Sequence, residues 1–229
     1  MFLDFDQMTI ATADYLDAAL QLPPGGRLTL RDVAWSQYER LLEQLGDESH
    51  RRISYSDGRL EITSPSNKHE KLKNLINSLV DTTCYELGVD WLSLGSATLK
   101  KQPSGRGVEA DDCFYFAKAA SMIRQDTLDL ASDPPPDIVV EIDLTSESTW
   151  KLEIYASFGV PEVWHYLEDH LEILELAGHQ YKLAAASRFL PVLTAERIIQ
   201  FVAECESAGH LQSQRKLHAW LKTVKASQG

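Results

Sequence analysis

Cysteine is scarce in this chain of 229 residues: Cys84, Cys113 and Cys205 are all there is. An odd number, widely spaced and without a CxxC, argues against a disulfide framework and against a zinc site. No apolar run reaches the roughly 18 residues that a membrane-spanning helix needs. The first residues carry aspartates but neither Lys nor Arg, unlike a secretory leader. These absences together lead us to expect a cytoplasmic protein without a membrane partner. Positive charge is also short, with 22 Lys and Arg against 34 Asp and Glu and a formal net charge of -12. Tight nucleic-acid binders usually present a basic surface, because phosphate neutralisation drives affinity. The deficit therefore excludes a broadly basic coat, while leaving room for a local basic groove. GxSxG, GxxxxGK[ST] and HExxH are all missing. Gly105-Arg106-Gly107 is too short and isolated to act as a phosphate loop, and the histidines do not cluster at metal-ligand spacing.

What is present is an ordinary globular composition, 44% hydrophobic and 24% charged, without repeats or low-complexity tracts. The patterning predicts a helix around Ala11–Leu20, a break at Pro23-Pro24-Gly25-Gly26, and a short strand at Leu28–Arg31. Trp35–Leu45 has helical spacing. Arg52–Tyr55 and Leu60–Thr63 flank Ser56-Asp57-Gly58-Arg59, a hairpin signal. A long helix is expected over Asn67–Leu87, ended by Gly88. Strands follow at Asp90–Ser93, Ala97–Lys100 and Val108–Phe116, then a polar link and a strand at Asp137–Leu144. A helix over Ser148–Phe158 leads to strands at Glu162–Tyr166, Leu171–Leu176 and Gln180–Leu183. Thr194–Lys225 reads as helical, with a break near Ser207–Gly209. The fold class is α/β, with a mixed central sheet flanked by helices, hairpin additions at the N-terminus and a helical C-terminal segment. We divide the chain into an N-terminal extension over 1–27, a core domain over 28–193, and a helical segment over 194–229 packed on the same domain.

The most telling stretch is Pro134-Pro135-Pro136-Asp137-Ile138-Val139-Val140-Glu141-Ile142-Asp143. Strand alternation puts Asp137, Val139, Glu141 and Asp143 on one face and Ile138, Val140, Ile142 and Leu144 on the other. So apolar a strand is expected to be covered on both faces, where carboxylates are costly unless hydrogen-bonded, paired or bound to metal. Glu141 and Asp143 suit Mg²⁺, which takes one or two carboxylates and completes its shell with water and phosphate. The plainer alternative is that Asp143 caps a Thr145-Ser146 turn and Glu141 joins a buried ion pair. One of Asp111 and Asp112 can face the same site, since neighbours in a strand point opposite ways. Asp111 shares parity with Cys113 and Tyr115, Asp112 with Phe114 and Phe116, and residue pattern alone leaves both open. Lys151, Ile154, Tyr155 and Phe158 fall on one helical stripe, which turns Lys151 inward, toward the end of the preceding strand. A snorkelling lysine is the alternative. His69 sits one turn before Leu72, at the edge of an apolar stripe where it can line a pocket, while Glu70 should be solvated.

Three segments resemble the Uma2 family (DUF820) of restriction-endonuclease-like proteins, a family abundant in cyanobacteria. They are Val108-Glu109-Ala110-Asp111-Asp112, Pro135-Pro136-Asp137-Ile138-Val139-Val140-Glu141-Ile142-Asp143, and Ile154-Tyr155-Ala156-Ser157-Phe158-Gly159-Val160-Pro161-Glu162-Val163-Trp164. The likeness extends through Ser64-Pro65, His69-Glu70 and Gly95-Ser96-Ala97-Thr98. It implies a PD-(D/E)XK nuclease fold over roughly 28–185. Carried over, the resemblance assigns the first acid to Asp111, with Ala110 where proline is usual, and the (D/E)XK acid to Glu141. The strand lysine slot holds Asp143, and Lys151 matches a lysine displaced to the next helix. His69 matches a helix histidine of the family. The implied activity is an endonuclease hydrolysing phosphodiester bonds, with Asp111, Glu141, Lys151 and His69 catalytic. Asp111, Glu141 and Asp143 would then face Mg²⁺, with Mn²⁺ as a substitute. Nucleic acid, DNA first, is the expected partner, and a homodimer fits such folds. The rival expectation is a silent nuclease-fold module that binds nucleic acid or protein.

Overall fold

A computed structural model describes residues 12–46, 49–125, 128–144, 149–168 and 170–228. The Thr145-Ser146 turn and residues 1–11 of the expected N-terminal extension lie outside these residues. The described chain begins with α1 (Thr12–Gln21), β1 (Arg27–Leu30), α2 (Trp35–Leu45), β2 (Arg52–Ser56) and β3 (Arg59–Thr63). The β2–β3 hairpin closes through Asp57 and Gly58 at φ 50° and 83°, the left-handed pair that a two-residue hairpin turn requires. β1 runs antiparallel to β3, with Leu28 opposite Ile62. Leu28, Leu30, Ile53, Tyr55, Leu60 and Ile62 bury one face of these strands against Tyr15, Ala19, Tyr38 and Leu41. Alternation then sends Arg27, Arg52, Arg59, Glu61 and Thr63 to the other face.

The long helix α3 (Asn67–Leu87) starts where the Ser66 hydroxyl accepts from the His69 amide and ends at Gly88 in the left-handed conformation. β4 (Leu92–Ser93), β5 (Thr98–Lys101), β6 (Arg106–Glu109) and β7 (Asp112–Tyr115) follow, then a short α4 (Ala119–Met122) inside the stretch read as a polar link. The continuous strand expected over Val108–Phe116 is in fact two. β6 joins the first sheet, of order β1-β3-β2-β6-β5, while β7 joins a second, and the chain crosses between them at Ala110-Asp111. The N-terminal hairpins are therefore part of a five-stranded antiparallel sheet of their own.

The second sheet is completed by β8 (Ile138–Asp143), β9 (Glu162–Leu167), β10 (His170–Ala177) and β11 (Gln180–Leu183), in the order β11-β10-β9-β8-β7-β4. It is mixed: β8 and β9 are parallel, joined through α5 (Thr149–Phe158), and the other pairs are antiparallel. Every residue of β8 is buried. Ile138, Val140 and Ile142 pack among α3, α6 (Ala195–Ala208) and α7 (His210–Gln228), while Val139 packs under Ile154, Tyr155 and Phe158 of α5. Among the described residues no helix is long and apolar enough to cross a membrane.

Candidate active site

The carboxyl end of β8 is where both sheets, α3 and α5 converge. Asp111 sits at the crossing between the sheets, and its main chain and side chain both return to β8. Its amide donates to the Val140 carbonyl at 3.2 Å, and its Oδ2 accepts from the Ile142 amide at 2.8 Å. These two bonds straddle Glu141, so the positions of the two acids are tied together through three consecutive residues of one strand. From α3, His69 Nε2 reaches Asp111 Oδ2 at 3.0 Å; from β2, Arg52 Nε lies 3.7 Å from Asp111 Oδ1.

Glu141 is held from α5. Lys151 Nζ donates to its Oε2 at 2.9 Å, and the Tyr155 hydroxyl donates to its Oε1 in a short hydrogen bond. Lys151 and Tyr155 are one helical turn apart, which is why both meet the same carboxylate. The inward stripe of Lys151, Ile154, Tyr155 and Phe158 is buried along its whole length. Asp143, two residues on, lies with its Oδ2 2.8 Å from His165 Nε2 of β9 and its Oδ1 3.9 Å from Arg27 Nη2 of β1. Asp112 points away from this cluster, accepting from Asn77 at 2.9 Å and from Ser93 at 3.1 Å. Glu70 is not simply solvated: Lys73 binds it at 2.9 Å and Arg52 reaches it at 3.6 Å from across the sheet.

The electrostatics follow from this crowding. Burial pushes the Glu141 carboxyl up, to about 7; Lys151 opposes this, while the Asp111 and Asp143 charges add to it. Burial would also raise Asp111, but His69, Lys151 and the Ile142 amide outweigh it and hold it below its ordinary value. For Lys151, burial pulls downward, yet Glu141 and Asp111 prevail and keep the ammonium charged. His69 likewise is raised, its burial overcome by Asp111 and Glu70.

A cleft of about 80 Å³ opens onto this cluster. Arg27, Ser66, His69, Asp111, Asp143 and Lys151 are on its walls. Arg52, Tyr155, His165, Arg27 and Glu61 were not singled out from the sequence as site residues. Only Tyr155 carried a signal, its place on the Lys151 stripe; the others arrive through strand pairings that no local pattern encodes. Among the described residues, no three His, Cys, Asp or Glu side chains form a metal cage. The donor set still suits a hard cation that keeps most of its water: two carboxylates at one strand end and the adjacent Ile142 carbonyl. Arg52 Nε, 3.7 Å from Asp111, and His69 Nδ1, 3.4 Å from Glu70, are buried at ion-pair distance from a carboxylate but make no hydrogen bond, so the site keeps some polar capacity in reserve.

A mixed sheet with acids at the end of its central strand and an inward lysine on the next helix is the architecture of a nuclease-like α/β protein. The fold is similar to a crystal structure described as "a putative nuclease belonging to DUF820" from Anabaena variabilis ATCC 29413. The TM-score is 0.54 at 11% sequence identity, over 73% of this chain and 98% of that one. The Uma2 family model, described as "Putative restriction endonuclease", matches residues 35–206, and the chain belongs to that family. No curated protein matches it. Family and fold together support a nuclease.

Proposed function

We propose that the chain is a Mg²⁺-dependent endonuclease hydrolysing phosphodiester bonds of nucleic acid, DNA first among them. The observation that carries this reading is the convergence of Asp111, Glu141 and Lys151 at the end of β8. Asp111 and Glu141, with the Ile142 carbonyl, would hold the ion, and Mn²⁺ would serve in its place. When bound, the metal supplies a Lewis acid that makes a bound water acidic and offsets charge on the phosphate. Asp143, engaged by His165, adds negative charge nearby more than a ligand. Lys151 stays protonated, so it donates rather than abstracts: it orients Glu141 and neutralises charge developing on phosphate oxygens. Tyr155 fixes the other Glu141 oxygen, and His69 holds the Asp111 carboxylate in register. The test is cleavage of duplex DNA, single-stranded DNA and RNA with Mg²⁺ or Mn²⁺ by wild type, Asp111→Ala and Lys151→Ala. Metal-dependent cutting lost in both variants is the expected result. No cutting of any substrate by folded wild type would sink the proposal. One observation favours a second reading, a silent module binding nucleic acid or protein: Asp143 occupies the strand position of the motif lysine and is engaged by His165. Metal-independent binding without cleavage would select it.

A further inference from the structure

The polar face of the five-stranded sheet forms one wall of the cleft, and Arg27 stands at its end nearest the carboxylates. Three cationic side chains line that cleft. All three face carboxylates, but Lys151 is only 7% exposed and His69 10%. Arg27 is 22% exposed, so it is the one of the three that an incoming anion meets first. Its Nη1 lies 3.5 Å from Glu61 Oε2, on a carboxylate only 1% exposed that also takes Arg59 at 3.1 Å. A buried acid behind a partly exposed guanidinium limits the directions in which the fork can point. Its Nη2 lies 3.9 Å from Asp143 Oδ1, so the guanidinium spans two carboxylates on the cleft wall, and its exposed edge can offer paired hydrogen bonds to a phosphate.

We infer that Arg27 anchors a backbone phosphate of the nucleic-acid substrate beside the scissile one, with Glu61 as its positioning residue. The identity of the ligand rests on the nuclease reading above. The need for such an anchor is electrostatic. The chain carries a net charge of -12, and Asp111 and Asp143 on the cleft wall repel phosphate. Arg27 also precedes the family-matched region, residues 35–206, so family membership alone does not predict it. With Gly25 and Gly26 it brings the residues before α2 into the site, where an appended extension was expected.

The competing explanation is that Arg27 only links Glu61 to Asp143. The two are separated by the salt dependence of binding. The probe is a fluorescein-labelled DNA duplex, with its single strand alongside, titrated with the full chain in EDTA across a salt series and read by anisotropy. Arg27→Gln should bind about tenfold or more weakly. The slope of log affinity against log salt should fall by about 0.9 for the duplex, the loss of one phosphate contact. Arg27→Lys should keep the slope yet bind more weakly than wild type, because it retains the charge and loses the fork. Arg188→Gln, on an exposed arginine away from the cleft, should change neither. Urea unfolding of each variant controls for folding. Unchanged affinity and slope in folded Arg27→Gln overturns the inference, and so does a wild type that binds neither probe. Cleavage with Mg²⁺ then distinguishes the two levels. A wild type that cuts, with Arg27→Gln equal to it in KM and binding, leaves the nuclease and removes the anchor. A wild type that never cuts, with binding weakened in Arg27→Gln, keeps the anchor and removes the nuclease.

Discussion

Replacing Glu141 by glutamine should stabilise the metal-free protein while abolishing metal-dependent cleavage. The carboxyl ordinarily titrates at 4.5 and in the fold at about 7, because it is buried beside Asp111 and Asp143. The sign follows from linkage: an acid whose pKa rises on folding leaves stability intact below pH 4.5 and erodes it as pH climbs to about 7. At about 1.4 kcal/mol per pH unit, that gap amounts to about 3 kcal/mol at and above neutrality. Glutamine has nearly the same shape; its one oxygen can accept from Lys151 while its amide NH2 donates to the Tyr155 hydroxyl oxygen, and it never ionises. The stability difference between Glu141→Gln and wild type should therefore be near zero around pH 4.5 and grow to about 3 kcal/mol by pH 8. Groups remote from Glu141 are common to both proteins and cancel in the comparison, while Lys151 loses one charged partner and keeps Asp111 beside it. Urea unfolding in EDTA across this range reads the difference, and a Mg²⁺ series at pH 8 should stabilise wild type and not the variant. A variant that is less stable than wild type at pH 8, or a difference that does not change with pH, would refute the reasoning.

His69 should behave in the opposite sense to an ordinary surface histidine. Its raised pKa means that its ion pair with Asp111 contributes fully below pH 6.5 and is lost as pH rises through the folded value. His69→Ala should then cost about 2 kcal/mol at pH 6 and clearly less at pH 9, measured by urea unfolding. Asp112→Asn should lower stability by about 1–3 kcal/mol through its bonds to Asn77, Ser93 and the Cys113 amide. Its cleavage rate should match wild type, and a cleavage defect equal to that of Asp111→Ala would show that the two acids are misassigned. Gly107→Ala would set a Cβ 2.1 Å from the Tyr38 hydroxyl. That ring is fully buried and stacked on Tyr55, so it has nowhere to swing. A loss of about 3 kcal/mol in thermal or urea unfolding is expected.

The elements governed by short-range chemistry were legible in the chain. Asp57-Gly58 marks a hairpin because only such residues accept two left-handed conformations in a row. Ser66 and Gly88 bound α3 because one side chain caps its start and one missing side chain permits its end. The inward turn of Lys151 follows from its spacing to Ile154, Tyr155 and Phe158. The partners of Asp111 were not legible, and the reason is physical. Val108–Asp111 alternates, the Asp111-Asp112 pair breaks the pattern, and Cys113–Phe116 runs on apolar, yet neither Gly nor Pro marks Ala110-Asp111, so nothing local says that the strand changes sheets there. The change is imposed from outside, by β2 and β5 pairing with β6 and by β8 pairing with β7. Arg27 and Arg52 reach the site by the same long-range route, and a lone arginine on a polar strand face looks like any solvated one.

The crossing also explains how two acids can be held close in a site where each raises the cost of the other. At Asp111 the chain leaves one sheet before it is fully taken up by the next. A side chain there is free to substitute for a main-chain group. The Asp111 carboxylate does so, accepting the Ile142 amide while its own amide donates to Val140. Backbone bonds on both sides of Glu141 thus clamp a second carboxylate beside it. Such a clamp opposes the repulsion that would otherwise drive the acids apart, and burial, with that repulsion added to it, leaves the Glu141 pKa raised. The arrangement costs the fold stability, and on the metal-dependent reading proposed above the same charges are the ones a cation would offset, the trade expected of residues placed for binding rather than for stability.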